Sequence, residues 1–293
     1  MPHKSIPSVD ICHLLGHGNS LQELVVVRLE DFMRDHGPEL VFPHRHEFYQ
    51  IVYFTEDSGS HTLDFQHHSA SKGQIYFMAK GQVHTWDFHD HARGYILNFS
   101  DSFFSAVFLR PSYLAQFPLF GRLGREQVFS LPETLQFEFG QLFEKLLTEY
   151  NGIGSFRLDL IRAYTVQLLS ESSRYLFPDS GESPLNHARA VVQQFELLID
   201  AHYTTRRLPR DYAELLYISP NHLNALTQQV LGRSAGDLIR DRVVLEAKRM
   251  LINSDRYVSE IASMLRFEDN SYFVRFFKKH AGVTPEEFRK SRK

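Results

Sequence analysis

Three histidines and one glutamine carry side chains that can bind a ligand. His44, His46 and Gln50 lie at even separations, so the alternation of side chains along a β-strand predicts that they share one face. His84 follows a turn at Gly81 later in the chain. Three imidazoles and an amide can hold a divalent metal, although the lack of a carboxylate weakens such a site. The alternative is that the histidines line or close a cavity by hydrogen bonding.

Aromatic side chains accompany these polar residues. Phe48, Tyr76, Trp86 and Phe88 are candidates for the walls of an apolar pocket, and a plain core role is the alternative. The predicted ligand pocket consists of His44, His46, Phe48, Gln50, Tyr76, His84 and Trp86. We predict no bound metal and no cofactor, and we keep His44, His46 and His84 as the alternative metal hypothesis.

Motifs for covalent or nucleotide chemistry are absent from the sequence. There is no Gly-x-Ser-x-Gly nucleophile turn and no Walker-type loop, and His46-Glu47 lacks the second histidine of a zincin. The single cysteine, Cys12, has no motif around it and cannot form an internal disulfide. We therefore predict no catalytic residues and no enzymatic activity.

Charge is distributed unevenly along the 293 residues. Residues 1–184 contain 14 Lys+Arg and 22 Asp+Glu, a net charge of -8, whereas residues 185–293 contain 18 and 13, a net charge of +5. A basic tail on an acidic body indicates that one domain meets a polyanion. No apolar run approaches the roughly 20 residues that span a bilayer, and no secretory signal begins the sequence. We therefore expect a cytoplasmic protein without membrane contact.

Short strands must position the histidines. From about residue 40 to residue 100, β-branched and aromatic runs alternate with turn residues at the spacing of an all-β barrel or sandwich. Residues 132–177 then show the period of two helices, the second with an apolar face of Phe156, Leu160, Tyr164 and Leu168. We assign residues 1–131 to the barrel. The helical pair at 132–177 either packs on that barrel or forms a dimer contact.

The remainder of the chain is predicted to be helical. Residues 178–185 are polar and bracketed by prolines, which is typical of a linker, and residues 186–293 form the second domain. Two helix-turn-helix units fit this domain, at about 210–232 and 258–282. Ser219 and Pro220 have the N-cap and first-position types of a helix start.

The two units are similar but not identical. Aligning Ala213 with Ala262 and Leu216 with Leu265 places Leu223 opposite Tyr272 and Gly232 opposite Ala281. The correspondence is therefore one of architecture more than of residue identity. A short helix, a tight turn and a second helix form the plan in which the second helix enters a major groove.

The tail carries a specific signature. Its residues are Ala247-x-x-x-Leu251 and Val258-x-Glu260-Ile261-Ala262-x-x-Leu265-x-Phe267-x-Asp269-x-Ser271-Tyr272-Phe273-x-Arg275-x-Phe277-Lys278-Lys279-x-x-Gly282-x-Thr284-Pro285-x-x-Phe288-Arg289. Together with Ser219, His222, Leu223, Gly232 and Ser234, this pattern resembles the AraC/XylS family of transcription regulators. Tyr217 and Arg266 depart from the family pattern, because glycine is frequent at both positions.

The resemblance implies that both second helices contact double-stranded DNA in successive major grooves. Outward-facing residues are the candidates for contacting base edges, since Asn and Gln pair with adenine and Arg pairs with guanine. These candidates are Asn221, Asn224, Ala225 and Gln228 in the first unit, and Asn270, Ser271, Tyr272 and Arg275 in the second. Lys278 and Lys279 are expected to attract phosphates.

The front domain resembles a cupin, the small β-barrel commonly fused to this tail. The resemblance rests on the segments Pro43-His44-Arg45-His46 and Lys80-Gly81-Gln82-Val83-His84, with Gln50 near the place of the glutamate in metal-binding cupins. It implies an N-terminal all-β cupin-like barrel with two accessory helices, followed by an all-α double helix-turn-helix domain. It further implies a homodimeric regulator, commonly an activator, which binds a small-molecule effector and recruits RNA polymerase. The alternatives are a metal-dependent cupin enzyme and an effector-independent DNA-binding protein.

Overall fold

The computed structural model describes residues 7–14, 23–40, 42–105, 113–120, 127–177 and 184–291. The chain divides into two compact units, one holding the described residues up to 177 and the other those from 184 onward. Of the predicted linker at 178–185, residues 178–183 lie outside the described residues, and Pro184 already begins a helix. None of the described helices is long and apolar enough to cross a membrane.

Ten described strands form two five-stranded sheets in the first unit. The strands are β1 (Ser8–Val9), β2 (Leu24–Arg28), β3 (His44–His46), β4 (Tyr49–Phe54), β5 (Gly59–Leu63), β6 (Gln66–Ala70), β7 (Gln74–Met78), β8 (Val83–Phe88), β9 (Gly94–Phe99) and β10 (Val128–Ser130). The first sheet has the order β1-β3-β8-β5-β6 and the second the order β10-β7-β4-β9-β2. Every pair is antiparallel except β1 with β3.

An apolar layer lies between the two sheets. Val52, Tyr76 and Ile96 of the second sheet form one cluster with Leu63 and Trp86 of the first. None of these five side chains is more than 4% exposed. Side chains alternate along each strand, so one face of each sheet can be buried in this way. The sequence-based prediction of an all-β first domain is confirmed.

Among the described residues, four α-helices accompany the sheets: α1 (Leu29–Leu40), α2 (Asp101–Ser105), α3 (Glu133–Asn151) and α4 (Arg157–Leu176). Helices α3 and α4 cover the outer face of the second sheet, where Phe139, Phe143 and Leu168 cluster with Ile51 and Leu97. The ring of Phe143 lies 5.8 Å from that of Tyr53 on β4. Most of the apolar side chains of α3 and α4 therefore pack within the chain.

The apolar face predicted for α4 is partly wrong. Phe156 is 78% exposed and Leu160 is 38% exposed. The helix instead buries Ile161, Thr165, Leu168, Leu169 and Ser172. Phe156 has a left-handed φ of 64° and precedes the helix, which begins at Arg157. Leu160 and Tyr164 therefore lie one residue before the buried Ile161 and Thr165, a rotation of about 100° around the helix, whereas Leu168 is buried as predicted.

The second unit is all helical within the described residues. Its helices are α5 (Pro184–His202), α6 (Pro209–Leu215), α7 (Pro220–Leu231), α8 (Ala235–Asn253), α9 (Val258–Met264), α10 (Asn270–Ala281) and α11 (Pro285–Lys290). Phe195, Tyr212, Leu223 and Leu238 form the core of the first half. Helix α8 also packs against α9, α10 and α11. The predicted all-α second domain is confirmed.

A buried ion network joins α5 to α8. Arg242 is 4% exposed. Its Nε donates to Asp200 at 2.6 Å and its Nη1 donates to Glu246 at 2.9 Å. The guanidinium also lies 4.1 Å from the centre of the Tyr203 ring. The neighbouring carboxylates raise the pKa of Arg242 against the opposing effect of its burial, so the charge is retained.

Candidate functional site

The first helix-turn-helix unit contains a tight turn between α6 and α7. Tyr217 has a φ of 56°, and the amide of Ile218 donates to the carbonyl of Ala213 at 3.0 Å. The Ser219 side chain accepts from the amide of His222 at 3.1 Å and so caps α7. Gly232, with a φ of 65°, closes the helix.

The second unit repeats this geometry between α9 and α10. Arg266 also has a φ of 56°, and the amide of Phe267 donates to the carbonyl of Ala262 at 2.9 Å. The Asp269 carboxylate accepts from the amide of Tyr272 at 2.5 Å, which caps α10. Both turns therefore keep the left-handed residue even though neither has the glycine that this conformation favours.

The two units do not align at a single offset. The left-handed residues Tyr217 and Arg266 are 49 positions apart, whereas the N-caps Ser219 and Asp269 are 50 apart. The second turn therefore contains one more residue. The alignment of Leu223 with Tyr272 is wrong, because Leu223 corresponds to Phe273 and both side chains are completely buried.

Each second helix presents a polar outer face. All ten predicted DNA-contacting residues are exposed: Asn221, Asn224, Ala225 and Gln228 on α7, and Asn270, Ser271, Tyr272, Arg275, Lys278 and Lys279 on α10. Counted from the N-caps, Arg275 takes the position of Ala225, and Lys278 takes the position of Gln228. Lys278, predicted only as a phosphate contact, therefore shares a helix position with a candidate base-reading residue.

Asn224 has a structural bond that limits its recognition chemistry. Its Oδ1 accepts from the amide of Ala235 at 3.2 Å, at the first residue of α8. Pairing of asparagine with adenine uses both the amide oxygen and the amide nitrogen. While this cap is intact, Asn224 offers a base only its donor group.

A cationic cavity of about 360 Å³ lies among α8, α10 and the start of α6. Its lining includes Arg207, Arg240, Arg275 and Lys279 and contains no carboxylate. The Arg207 guanidinium stacks 3.8 Å from the Phe267 ring and donates to the carbonyl of Leu265. The charge of this cavity suits an anionic group such as a phosphate.

The three predicted histidines come together in the first unit. His44 and His46 lie on β3, and His44 pairs in register with His84 on β8. The ring centroid of His84 is 4.2 Å from that of His44 and 4.4 Å from that of His46. All three side chains are at most 4% exposed. Burial, reinforced by the neighbouring histidines, lowers the pKa of His46 and His84 well below its usual value.

Gln50 does not share a strand with these histidines, contrary to the prediction. The chain leaves β3 at His46 and enters β4 at Tyr49, and the two strands belong to different sheets. The prediction treated residues 44–50 as one continuous strand and therefore missed the break between β3 and β4. The Gln50 amide nitrogen donates to Asn98 Oδ1 at 2.9 Å. Its buried Oε1 has no hydrogen-bond partner among the described residues.

The aromatic pocket candidates are packed into the core. Phe48 stacks on His46 at 4.3 Å and clusters with Ile11 and Val25. Tyr76 and Trp86 lie 5.8 Å apart between the sheets. These residues therefore surround the histidines, and each is at most 4% exposed.

Sequence reasoning missed His61 as a member of this polar cluster. The residue is completely buried on β5 and stacks on Trp86 at 3.5 Å. Burial lowers its pKa well below the usual value, and neither ring nitrogen has a hydrogen-bond partner among the described residues. The sequence signal for its burial was its position two residues before Leu63, on the same face of β5.

The fold and site together define a class of protein with an enclosed polar cluster in a sheet-rich domain and two helix-turn-helix units in a helical domain. A family profile described as an AraC-like ligand binding domain matches residues 31–166. A second profile, described as a helix-turn-helix domain, matches residues 212–291. The chain therefore carries an AraC-like ligand binding domain followed by a helix-turn-helix domain.

Several known proteins are similar to this chain. The Salmonella typhimurium arabinose operon regulatory protein is 26% identical over 163 residues, which cover 55% of this chain and 56% of that protein. The uncharacterized transcriptional regulatory protein YesN of Bacillus subtilis is 35% identical over 120 residues, 39% of this chain and 33% of its own length. The chain thus spans between a third and just over half of these curated relatives. A structure of fatty-acid-bound ToxT from Vibrio cholerae aligns at 12% identity with a TM-score of 0.41, covering 94% and 97% of the two chains.

Proposed function

We propose that the protein is a sequence-specific transcriptional regulator that binds DNA through α7 and α10. The observation that carries this proposal is the pair of N-capped second helices, each with a buried apolar face and an exposed polar face. The helices belong to one compact unit and are joined by α8. Such a pair suits two successive major grooves of one duplex. A regulator of this kind acts in the cytoplasm, where bacterial promoters are found.

The charge of the second unit supports a polyanionic partner. Residues 185–293 carry a net charge of +5, against -8 for the remainder of the chain. Lys278 and Lys279 are exposed on α10, beside the cationic cavity that contains Arg275. Cations at these places attract phosphates and orient the helices, and base edges then supply the sequence selectivity.

The first unit supplies control by a small-molecule effector in this proposal. His44, His46, Phe48, Gln50, Tyr76, His84 and Trp86 remain its candidate pocket residues. The support is the enclosed set of polar atoms between apolar walls, since few placed polar groups in an apolar enclosure are typical of ligand sites. Effector binding then changes the DNA occupancy, with activation through RNA polymerase as the proposed outcome.

A homodimer formed through the helical pair is also part of the proposal. Phe137 is 70% exposed on α3, and Phe156 is 78% exposed at the start of α4. Ile153, in the turn between the two helices, is 99% exposed. Large apolar side chains in this number on one helical hairpin favour burial against a second copy.

The test is a gel shift of the full-length protein against a genomic fragment library at near-physiological salt. Wild type is expected to retain a few fragments selectively. Asn221→Ala and Arg275→Ala are each expected to weaken those complexes by roughly 5- to 150-fold, the equivalent of about 1–3 kcal/mol per base contact. Gln66→Ala and Arg34→Ala remove a matched amide and a matched cation from exposed positions in the first unit and are expected to change nothing.

Two results contradict the proposal. Retention that lacks fragment selectivity and disappears as salt rises indicates charge attraction alone. Equal losses in the four variants indicate that α7 and α10 do not read sequence. The effector is tested separately with a metabolite library, because its binding is expected to raise the unfolding temperature reported by Trp86. A library without any such effect, together with selective DNA binding, supports the effector-independent alternative.

A further inference from the structure

The cationic cavity contains two arginines that the predicted base contacts do not use. Arg207 lies just before α6, and Arg240 lies on α8. Lys279 on α10 contributes a third cation. The segment that leads into the first helix-turn-helix, the joining helix and the second helix-turn-helix therefore each supply one positive charge. The cavity lies between the two helix-turn-helix units.

Arg207 is a half-buried cation in a neutral environment. Its Nη2 donates to the carbonyl of Leu265, and its guanidinium stacks 3.8 Å from the centre of the Phe267 ring. These contacts fix the plane of the guanidinium, which has five N–H donors in a rigid fork. Its Nε and Nη1 atoms form no hydrogen bond with the described residues. Oriented donors therefore remain for an external acceptor.

A comparison with Arg242 shows what Arg207 lacks. Asp200 and Glu246 pair with Arg242 and raise its pKa despite its burial. Burial lowers the pKa of Arg207, and the groups that oppose this shift are tyrosine hydroxyls and not carboxylates. A cation that is withdrawn from water without a carboxylate favours the binding of an external anion, because an unpaired buried charge is costly.

The other two cations are available to the same anion. Arg240 pairs with Asp237, and the two side chains are 39% and 47% exposed. Asp237 does not line the cavity, and the five donors of a guanidinium can serve a carboxylate and a second anion together. Lys279 is exposed and has no salt-bridge partner within the described part of the chain. Three positive charges therefore meet at a cavity whose lining contains no carboxylate.

The position of the cavity indicates which anion occupies it. When α7 and α10 enter successive major grooves, the minor groove between those grooves faces the protein surface between the two helices. The phosphates that border this minor groove are the anions nearest to the cavity, and guanidinium groups bind phosphate through paired hydrogen bonds. We propose that Arg207, Arg240 and Lys279 hold a backbone phosphate of the DNA between the two half-sites, the segments that α7 and α10 contact. This inference rests on the proposed function and adds a contact that fixes the register of the duplex without reading its sequence.

The experiment uses the full-length protein and a DNA fragment that wild type retains selectively. Single phosphates of that duplex are replaced by uncharged methylphosphonates, one position at a time. Wild type is expected to lose affinity when the replacement falls on a phosphate between the half-sites. Arg240→Gln is expected to weaken binding to the unmodified duplex roughly 10-fold. It should also lower the slope of log Kd against log salt concentration by about 0.9, the change for one lost phosphate contact.

The decisive measurement combines the variant with the modified DNA. At the sensitive phosphate, Arg240→Gln is expected to add no further loss, because the contact is already absent. Lys248→Gln is the matched control, since Lys248 lies about two turns later on α8 and does not line the cavity. Its effect is expected to be the same on every duplex. Arg207→Lys keeps the charge without the fork, so it should weaken binding and leave the salt slope unchanged.

Three results overturn the proposal. The first is a wild-type scan without a sensitive phosphate between the half-sites, which requires no variant to fold. The second is a loss in Arg240→Gln that is equal on all duplexes, as in the control. The third comes from titration of the protein with inorganic pyrophosphate in the absence of DNA. If Arg240→Gln abolishes pyrophosphate binding and no backbone phosphate is sensitive, the cavity binds a small phosphorylated molecule instead of DNA.

Failure of this inference is distinguishable from failure of the proposed function. Selective retention of fragments without a sensitive phosphate between the half-sites leaves the regulator intact and removes only the phosphate contact. If wild type retains no fragment selectively, the proposed function fails and the DNA contact fails with it. The pyrophosphate titration then decides by itself whether the cavity holds phosphate.

Discussion

Replacing Tyr217 with glycine is expected to stabilise the second unit. Tyr217 has a φ of 56° in the first helix-turn-helix turn, and its side chain is 96% exposed. A residue with a Cβ in the left-handed region costs about 1–2 kcal/mol, which glycine does not incur. Because the side chain is almost fully solvated, its removal eliminates essentially no packing.

The magnitude follows from two opposing effects. Relief of the left-handed strain contributes about 1–2 kcal/mol, and the greater freedom of glycine in the unfolded chain offsets about 0.5–1 kcal/mol of it. The net expectation is a gain of roughly 0.5–1 kcal/mol in the free energy of unfolding. For a domain of this size, that gain raises the unfolding temperature by roughly 3–6 °C.

The assay separates the two units by their signals. Trp86 is the single tryptophan and lies in the first unit, so its fluorescence reports on that unit alone. Far-ultraviolet circular dichroism follows the helices of both units, so a change in the helical transition without a change in the Trp86 transition is assigned to the second unit. Tyr217→Gly is expected to move the helical transition and to leave the Trp86 transition in place. Glu214→Gly is the matched control, since Glu214 is exposed three residues earlier but has ordinary helical backbone in α6.

The changes that Tyr217→Gly and Glu214→Gly make to the free energy of unfolding of the second unit are expected to have opposite signs. Glu214→Gly should lower the stability of the second unit by about 0.5–1 kcal/mol, as glycine does inside helices. If Tyr217→Gly lowers stability by the same amount, the backbone at this turn is not left-handed and the strain argument is refuted. A destabilised Trp86 transition in either variant likewise contradicts the assignment of the turn to the second unit alone.

Three further predictions concern the second unit. Ser219→Ala removes the cap of α7 and is expected to cost about 1 kcal/mol in urea unfolding, whereas Ser219→Asn should retain most of it. Arg242→Met removes the buried cation that pairs with the partly buried Asp200 and Glu246 and is expected to cost about 3 kcal/mol, enough to lower the temperature of the helical transition; a loss below about 1 kcal/mol contradicts this role. Hydrogen bonds from Ser234 and Arg240 lower the pKa of Asp237 below its usual value. Its contribution to stability is therefore complete above about pH 4 and is lost as the pH falls through the lower folded pKa, so Asp237→Asn should flatten that acid dependence.

Local signals made the helical half predictable. Ser219 with Pro220 and Thr284 with Pro285 specify helix starts within a few residues, and both serve as caps in the structure. The extra residue in the second turn was not predictable from Ala213 and its counterpart, because nothing in a short turn fixes its length. The N-caps Ser219 and Asp269 and the burial of Phe273 reveal the shift.

The sheet-rich half was predictable in class but not in detail. The alternation of residue types indicated strands, and the resemblance to cupins grouped His84 with His44 and His46, which the structure places together. The break between β3 and β4 arises because the two strands belong to different sheets, which is a non-local effect. The prediction therefore placed Gln50 on the wrong strand. His61 was missed because its burial arises from stacking on Trp86, which is distant in sequence.

The additional residue in the second turn has a practical consequence for protein engineering. A grafted recognition helix must be counted from Ser219 in one unit and from Asp269 in the other. If the position of the graft is counted from α6 and α9 instead, the graft is shifted by one residue, and every side chain is rotated by about 100° around the helix axis. Such a chimaera would expose Phe273-type residues to solvent and bury the reading residues. Exchange of the two recognition segments by recombination therefore requires a compensating insertion or deletion in the turn.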